Sequence, residues 1–370
     1  MTTVHTVGSL SRAMEAIAPT RFAASWDNVG LLAGDPTSTI TSVLLCIDLT
    51  REVFDEACSL GVQAIIAYHP PLFKPLARVT QGSLIYEAIR HDIAIYSPHT
   101  ALDAADGGTN DVLADCVGIS RHNRTSLAPP PSRETHCKLV TFVPRDAQDR
   151  VCDALFAAGA GVIGHYTQCS FRVDGHGTFL GDPAHTSPAV GQAGQRERAE
   201  ETRVEVLVPL ALREAIVQAL YAAHPYETPA FDLVKLLDEP EHKGYGRVGS
   251  LTAPTHFREV LSGLKQALGV SHVLVAGPTD RVITRAAVGA GSTGEYLGAA
   301  LAQRVDLFVL GELRHHDALR AASAGLTVVM TLHSVSERAT LRHVQSRLRA
   351  ALPELSLHLS QRDHDPLVIC

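Results

Sequence analysis

The sequence predicts an α/β protein: two related, mainly parallel α/β halves form a discontinuous core, interrupted by an inserted ferredoxin-like α+β domain. Three observations carry that prediction. Strand-like apolar runs alternate with amphipathic helical stretches in both outer parts of the chain. Each outer part ends its series on a histidine followed four residues later by a carboxylate, His99/Asp103 in one and His333/Glu337 in the other. Between them lies a segment with its own internal repeat, flanked by LAPPPSRE (Leu127 to Glu134) and DEPEHKGYGRVG (Asp238 to Gly249), rich in Pro, Gly and charge.

In order, the first half reads strand SVLLCID, helix REVFDEACSLG, strand AIIAYHP, helix SLIYEAIRHD and strand IAIYSPHTALD. The middle segment repeats strand, Val-Pro, helix in KLVTFVPRDAQDRVCDALFAAGAG and RVEVLVPLALREAIVQALYAAHPYE. With the strands YTQCSFRV and AFDLVKLL this gives a split β-α-β…β-α-β pattern. The second half reads strand TRAAVGAG, helix GEYLGAALAQR, strand DLFVLGELRHH, helix DALRAASAG and strand TVVMTLHSVSE. The expected domains are 1–130, 131–240 and 241–370. A length of 370 residues agrees with two or three domains.

Composition narrows the function classes. Hydrophobic residues make up 45% and charged residues 19%, which argues against disorder. The net charge of −7 leaves no basic footprint for nucleic acid. No apolar run reaches the roughly 18 residues of a membrane span, so no membrane partner is expected. The N-terminal stretch lacks the pattern of a secretion signal. Seven scattered cysteines, with no Cys-x-x-Cys pair, fit a reducing cytoplasm.

In open α/β sheets ligands bind beyond the carboxyl ends of the strands. Both halves aim imidazole and carboxylate there: His69, His99 and Asp103 from one, His315, His316, His333 and Glu337 from the other. A His and a carboxylate four residues apart share one face of a helical turn. Mixed imidazole and carboxylate donors suit zinc, iron, manganese or nickel. The set is large enough for two ions about 3.5–4 Å apart that share a carboxylate and activate water.

Taken singly, each part has a plain structural alternative. Asp103 can cap a helix beginning at Ala104, His333 and Glu337 can be a helix-start pair with Arg338 as counter-ion, and His69 can be a packed loop residue. His315 and His316 are either site-facing or supporting. His224 fits a loop or interface role within the insert.

Gly289-Ala290-Gly291-Ser292-Thr293-Gly294 is a rival. It follows a strand and opens a helix as a dinucleotide fingerprint does, with Glu312 about 20 residues on. The matching turn of the first half, DLTREV, has no glycine. A tight turn able to contact an anionic substrate is the favoured reading, without nicotinamide.

WDNVGLLAGD, YHPPLFKP, SPHTALDAADGGTNDVLA, GELRHHDALRAA and TLHSVSE together resemble the Nif-three-like family, whose members often carry the name GTP cyclohydrolase 1 type 2 homolog. GTFLGD, HPYETPAFDL and GYGRVGSL resemble the PII/CutA-like middle domain of its longer bacterial members. The resemblance covers almost the whole chain. It implies a dinuclear metal site in a toroidal homohexamer, with His69, Asp103, His333 and Glu337 as ligands and Glu337 bridging. By the same resemblance His99 coordinates an ion or orients a residue that does. Trp26, Asp27 and Asn28 match a motif near the site mouth, with no role assigned.

Tyr68 departs from the His-His-Pro of many bacterial relatives, where the first His binds the second metal. A phenolate can bind iron, although a tyrosine at a strand end more often packs. The function expected from all this is a metal-dependent hydrolase of a small phosphorylated or nucleotide-like substrate, with Glu337 as its catalytic residue and two divalent metal ions as cofactors. The alternative is a non-catalytic metal-binding or regulatory protein that senses a small molecule through its inserted domain.

Overall fold

A computed structural model describes residues 4–128, 136–164, 166–236 and 244–368. The chain divides into two compact units, Met1–Pro131 with Pro240–Cys370, and Ser132–Glu239. The stretches read as linkers lie largely outside the described residues, as do the expected boundaries at 130/131 and 240/241.

The discontinuous unit holds two five-stranded sheets. The first has the order Ser356–Leu359, Ser42–Cys46, Ala64–Ala67, Ala94–Ser97, Gly30–Ala33. Its first four strands run parallel, and Gly30–Ala33 lies antiparallel at the edge. The second has the order Arg247–His256, Val282–Gly289, Leu307–Leu310, Thr327–Met330, Leu274–Ala276. Its middle three strands are parallel and both edges antiparallel. In each sheet the antiparallel strand beside the third parallel one precedes the first in sequence, so the two sheets share a winding order.

The central strands AIIA and LFVL are buried throughout. That is why they read as unbroken apolar runs, since a parallel sheet covered on both faces has no wet side. Helices cover them with ordinary punctuation. Thr50 caps Arg51–Leu60, and Gly61 at φ 64° closes it in the left-handed conformation that glycine adopts freely.

The helices after the third strands exchange sheets. Thr109–Val117 follows the first sheet in sequence, yet Leu113, Ala114 and Val117 pack with Ile283, Val288 and Val309 of the second. His333–Ala351 follows the second sheet, yet Leu341, Val344 and Leu348 pack with Val43, Leu45 and Ile66 of the first. The chain then adds Ser356–Leu359 to the first sheet. This exchange brings the two His-x-x-x-carboxylate segments together.

Arg247 locks the same region. It is 2% exposed, and all its N–H groups are used: Asp111 takes two at 3.0 and 2.8 Å, and the carbonyls of Gly244, Gly246 and Ala105 take the rest.

The second unit is a four-stranded antiparallel sheet in the order Phe231–Lys235, His136–Pro144, Arg196–Pro209, Ser170–Leu180. Helices Gln148–Ala157 and Arg213–Ala223 bury Val151, Leu155, Ile216 and Leu220 against Leu139, Val143, Val204 and Val206. The element order is β-α-β-β-α-β.

Candidate metal centre

Parallel strand ends deliver the side chains, as the topology requires. Asp48 follows Ser42–Cys46, His69 follows Ala64–Ala67, and His99 and Asp103 lie on the helix His99–Ala104 after Ala94–Ser97. Glu312 follows Leu307–Leu310, and His333 opens the helix that carries Glu337 one turn on. Just before it, Leu332 holds φ 78° and ψ 154°, a conformation that costs a non-glycine residue on the order of 1–3 kcal/mol. Its N–H is bonded to the Gly311 carbonyl at 3.1 Å.

His69, His333 and Glu337 form a group whose ligand atoms lie within 4.8 Å of one another. His69 Nε2 is 3.3 Å from Glu337 Oε2, and His333 Nε2 is 3.3 Å from Glu337 Oε1. One buried carboxylate thus faces an imidazole with each oxygen. The outer nitrogens are fixed as well: His69 donates Nδ1–H to Asp48 at 2.9 Å, and His333 donates Nδ1–H to Glu312 at 2.8 Å. Carboxylates in this position set the tautomer and ring angle of metal-ligating histidines. Asp48 is steadied by the loop that holds Asp363, which accepts the Ile47 N–H at 2.7 Å and pairs with Arg338 at 2.6 Å. Arg338 therefore serves Asp363 and is not the counter-ion of Glu337.

The donor set fits a divalent ion. Two donors about 2.1 Å from a shared ion, at about 90–110° to each other, stand about 3.0–3.4 Å apart. Glu337 Oε2 is buried and makes no hydrogen bond of acceptable geometry, a lone-pair site left over. Gly291 keeps the space open: at φ 70°, a Cβ there would lie 2.6 Å from Glu337 Oε1 and 3.3 Å from His333 Nε2.

Electrostatics compensate the buried charge. Burial pushes the Glu337 carboxyl up, but the imidazoles of His333 and His69 outweigh it and hold it below its usual value. Burial opposes the charged form of His69, yet Asp48 and Glu337 raise it to about 10. The bond to Glu337 raises His333, against burial, to about 9.

Asp103 and His99 flank this group. Burial and the neighbouring Glu337 charge push the Asp103 carboxyl up to about 6. Tyr68 is wholly buried and donates its hydroxyl to Asp103 Oδ1, with Thr109 Oγ1 at 3.3 Å. Burial, with the charges of Asp103 and Glu337, drives its pKa well up, so it stays a phenol and packs. Asp103 lies within its helix and caps nothing. His99 donates Nδ1–H to Asp27 at 2.8 Å, and its ring lies 5.4 Å from that of His69. Asp27 also takes the backbone N–H of Thr100 at 3.1 Å and the Thr100 hydroxyl.

Other sequence candidates stay apart. His315 and His316 are exposed and pack on each other, with ring centroids 5.4 Å apart. His224 is buried in the second unit, where it meets the Phe142 carbonyl at 3.0 Å. In the glycine-rich turn, the Ala290 N–H is taken by Asn110 Oδ1 at 2.9 Å and the Gly291 N–H by Ser336 Oγ at 2.8 Å. Those amides are not available for a pyrophosphate, and Glu312 holds His333 where a fingerprint acid would hold ribose. Sequence reasoning missed Asp48 and Asp27 as supports. Both lie at strand or helix approaches, but only the strand order sets them beside an imidazole.

Fold and site define a mixed α/β protein with a His/His/Glu group able to hold a metal ion at the ends of the parallel strands of two sheets. The chain matches the Duf34/NIF3 (NGG1p interacting factor 3) family model over residues 5–366, and it belongs to that family. A relative from Halalkalibacterium halodurans, named GTP cyclohydrolase 1 type 2 homolog, is 36% identical over 92% of this chain and 91% of its own. One of the same name from Mycobacterium tuberculosis is 38% identical over 81% of this chain and 79% of its own. Among solved structures, a Bacillus cereus protein related to NIF3 is 33% identical with a TM-score of 0.66, covering all of both chains. A Staphylococcus aureus protein is 25% identical with a TM-score of 0.75 over 99% of both. Among the described residues no helix is long and apolar enough to cross a membrane.

Proposed function

We propose that this chain is a metal-dependent hydrolase of a small phosphorylated or nucleotide-like compound, with two divalent ions held by His69, Asp103, His333 and Glu337. His69 and Asp103 serve one ion, His333 the other, and Glu337 bridges, while His99 coordinates or orients. The observation that carries this reading is the Glu337 carboxylate, which offers one oxygen to each of two imidazoles at 3.3 Å, each imidazole backed by its own carboxylate. Divalent ions there would polarise a substrate oxygen and activate water.

The chain's own residues supply the rest. Asp48 and Glu312 keep each Nδ1 protonated and each Nε2 facing inward. Tyr68 holds Asp103 by its hydroxyl. Beside Glu312 opens a cavity of about 550 Å³ lined by Arg314, Arg320, Glu295 and Asp317. Neither arginine forms an ion pair among the described residues. Two unpaired guanidiniums suit a phosphoryl group, and the names of the relatives agree with a nucleotide such as GTP within that class.

The domain division at 1–130, 131–240 and 241–370, a PII/CutA-like character for the insert, a toroidal homohexamer and a cytoplasmic location belong to the same proposal. The β-α-β-β-α-β order of the insert supports the second of these.

Elemental analysis of the purified chain, followed by a phosphatase and nucleotidase panel, tests the reading. We expect two equivalents of metal and a turnover abolished by Glu337→Gln. A metal-free protein, or turnover indifferent to Glu337→Gln, overturns it. A second reading, a metal-binding regulator, is favoured by one feature of the Ser132–Glu239 unit: a cavity of about 650 Å³ lined by His176, Glu201, Arg203 and Tyr226. Metal-loaded protein that turns over nothing supports that reading instead.

A further inference from the structure

Trp26 is the only tryptophan in the chain, and 62% of it is exposed. Phe73 beside it is 47% exposed, with ring centroids 5.8 Å apart and planes at 62°. Single exposed apolar residues are common, but two large aromatics left in water together mark a surface that something covers.

Their attachment says where that something sits. Trp26 immediately precedes Asp27, which fixes His99, and its ring lies 6.1 Å from the His99 ring. Phe73 lies four residues beyond His69 on the loop that leaves the same strand. The two loops are tied together, since Asn28 Nδ2 donates to the Leu72 carbonyl at 2.5 Å. The aromatic pair is thus held at a set distance from the candidate metal centre before any ligand arrives. On the other flank, Glu312, which holds His333, lines the cavity of Arg314 and Arg320.

We propose that Trp26 and Phe73 form a stacking platform for a planar heteroaromatic ring on the substrate, so that ring recognition, and not the phosphoryl group alone, decides which compound enters. This rests on the reading of the site as one for phosphorylated substrates. Trp26 offers a broad aromatic surface and Phe73, inclined to it at 62°, a second one; such platforms accept any flat base and discriminate against ligands without one.

Because the tryptophan is unique, its emission reports on this position alone. The full chain, as purified, is titrated with the common ribonucleoside 5′-monophosphates and with ribose 5-phosphate, which lacks the ring. We expect at least one nucleotide to quench Trp26 saturably and to bind about tenfold more tightly than ribose 5-phosphate. Phe73→Ala, a change at an exposed position, removes most of that preference and leaves ribose 5-phosphate binding by calorimetry unchanged. Equal affinity for both ligand types in both proteins overturns the platform. So does a tryptophan emission maximum that moves with protein concentration and ignores ligand, which would mean a second copy of the chain covers the pair. Absent turnover with the ring preference intact removes the hydrolase and keeps the platform; turnover of ring-free phosphates without any preference does the reverse.

Discussion

The Tyr68 hydroxyl donates to Asp103 in the buried wall of the site, and that contact decides what the tyrosine is. A phenol whose proton is committed to a carboxylate, and whose ionisation is opposed by burial and by two nearby acids, does not offer a lone pair to a metal. It occupies the place beside His69 with a donor and leaves Asp103 as the acidic group on that flank.

Replacing that donor with an acceptor should change metal content. Tyr68→His puts an imidazole where the phenol stood, and elemental analysis should show higher occupancy of the second metal position than in the unaltered chain. Equal stoichiometry in the two proteins would remove Tyr68 from the account of the site.

Asp48 and Glu312 touch the imidazoles from outside, so their loss should act through ring orientation. Asp48→Asn and Glu312→Gln keep size and hydrogen bonding but lose the charge that raises imidazole basicity. Each should weaken metal binding by about 10–100-fold in a competition titration with a chelator. Arg314→Gln, across the Glu312 cavity, should leave metal affinity alone and weaken binding of inorganic phosphate. If Asp48→Asn and Glu312→Gln both hold metal as the parent does, the paired support described above has no function.

The sequence announced the three consecutive parallel strands of each half because segments such as AIIA and LFVL are buried on both faces and carry no polar residue to confuse the period. The edge strands Gly30–Ala33, Arg247–His256, Leu274–Ala276 and Ser356–Leu359 went unread. His333 and Glu337 were readable for a local reason, being one helical turn apart at a helix start. Asp48 and Glu312 were not, because nothing local marks a loop acid as a partner of a histidine about 20 residues away. That pairing exists only once strands lie side by side. The exchange of helices between sheets is equally invisible locally, since Leu113 and Leu341 would look the same on a helix covering its own sheet. The tandem His315-His316 drew notice by its place after the middle strand, matching His69, while Glu312, three residues earlier, makes the contact.

Gly291 tests whether space at the centre matters. Gly291→Ala imposes a left-handed backbone on a residue with a side chain and sets a methyl 2.6 Å from Glu337 Oε1. Gly61→Ala imposes a similar backbone at φ 64° with nothing within 4 Å of the new Cβ. Gly61→Ala should lose about 1 kcal/mol of stability and Gly291→Ala more, but only Gly291→Ala should also lose metal affinity, by tenfold or more. Matching metal affinities in the two variants would show that the open space is incidental.

The Asp111 carboxyl should set an acid limit for the discontinuous unit. Burial pushes it up, but the guanidiniums of Arg247 and Arg124 and the Gly107 N–H outweigh that and hold it below its ordinary value. A depressed folded-state pKa adds stability that is present above the unfolded value of about 3.9 and is lost as pH falls through the folded one. Asp111→Asn leaves Arg247, 2% exposed, without its charge partner. At neutral pH this should cost about 3–5 kcal/mol, read from urea unfolding. Below about pH 3.9 the unfolded parent takes up a proton on this carboxyl and the folded parent follows only at lower pH, so the gap between the two proteins should shrink as acid is added. A gap that stays constant down to the acid transition would mean that the charge on Asp111 is not what holds Arg247 in the core.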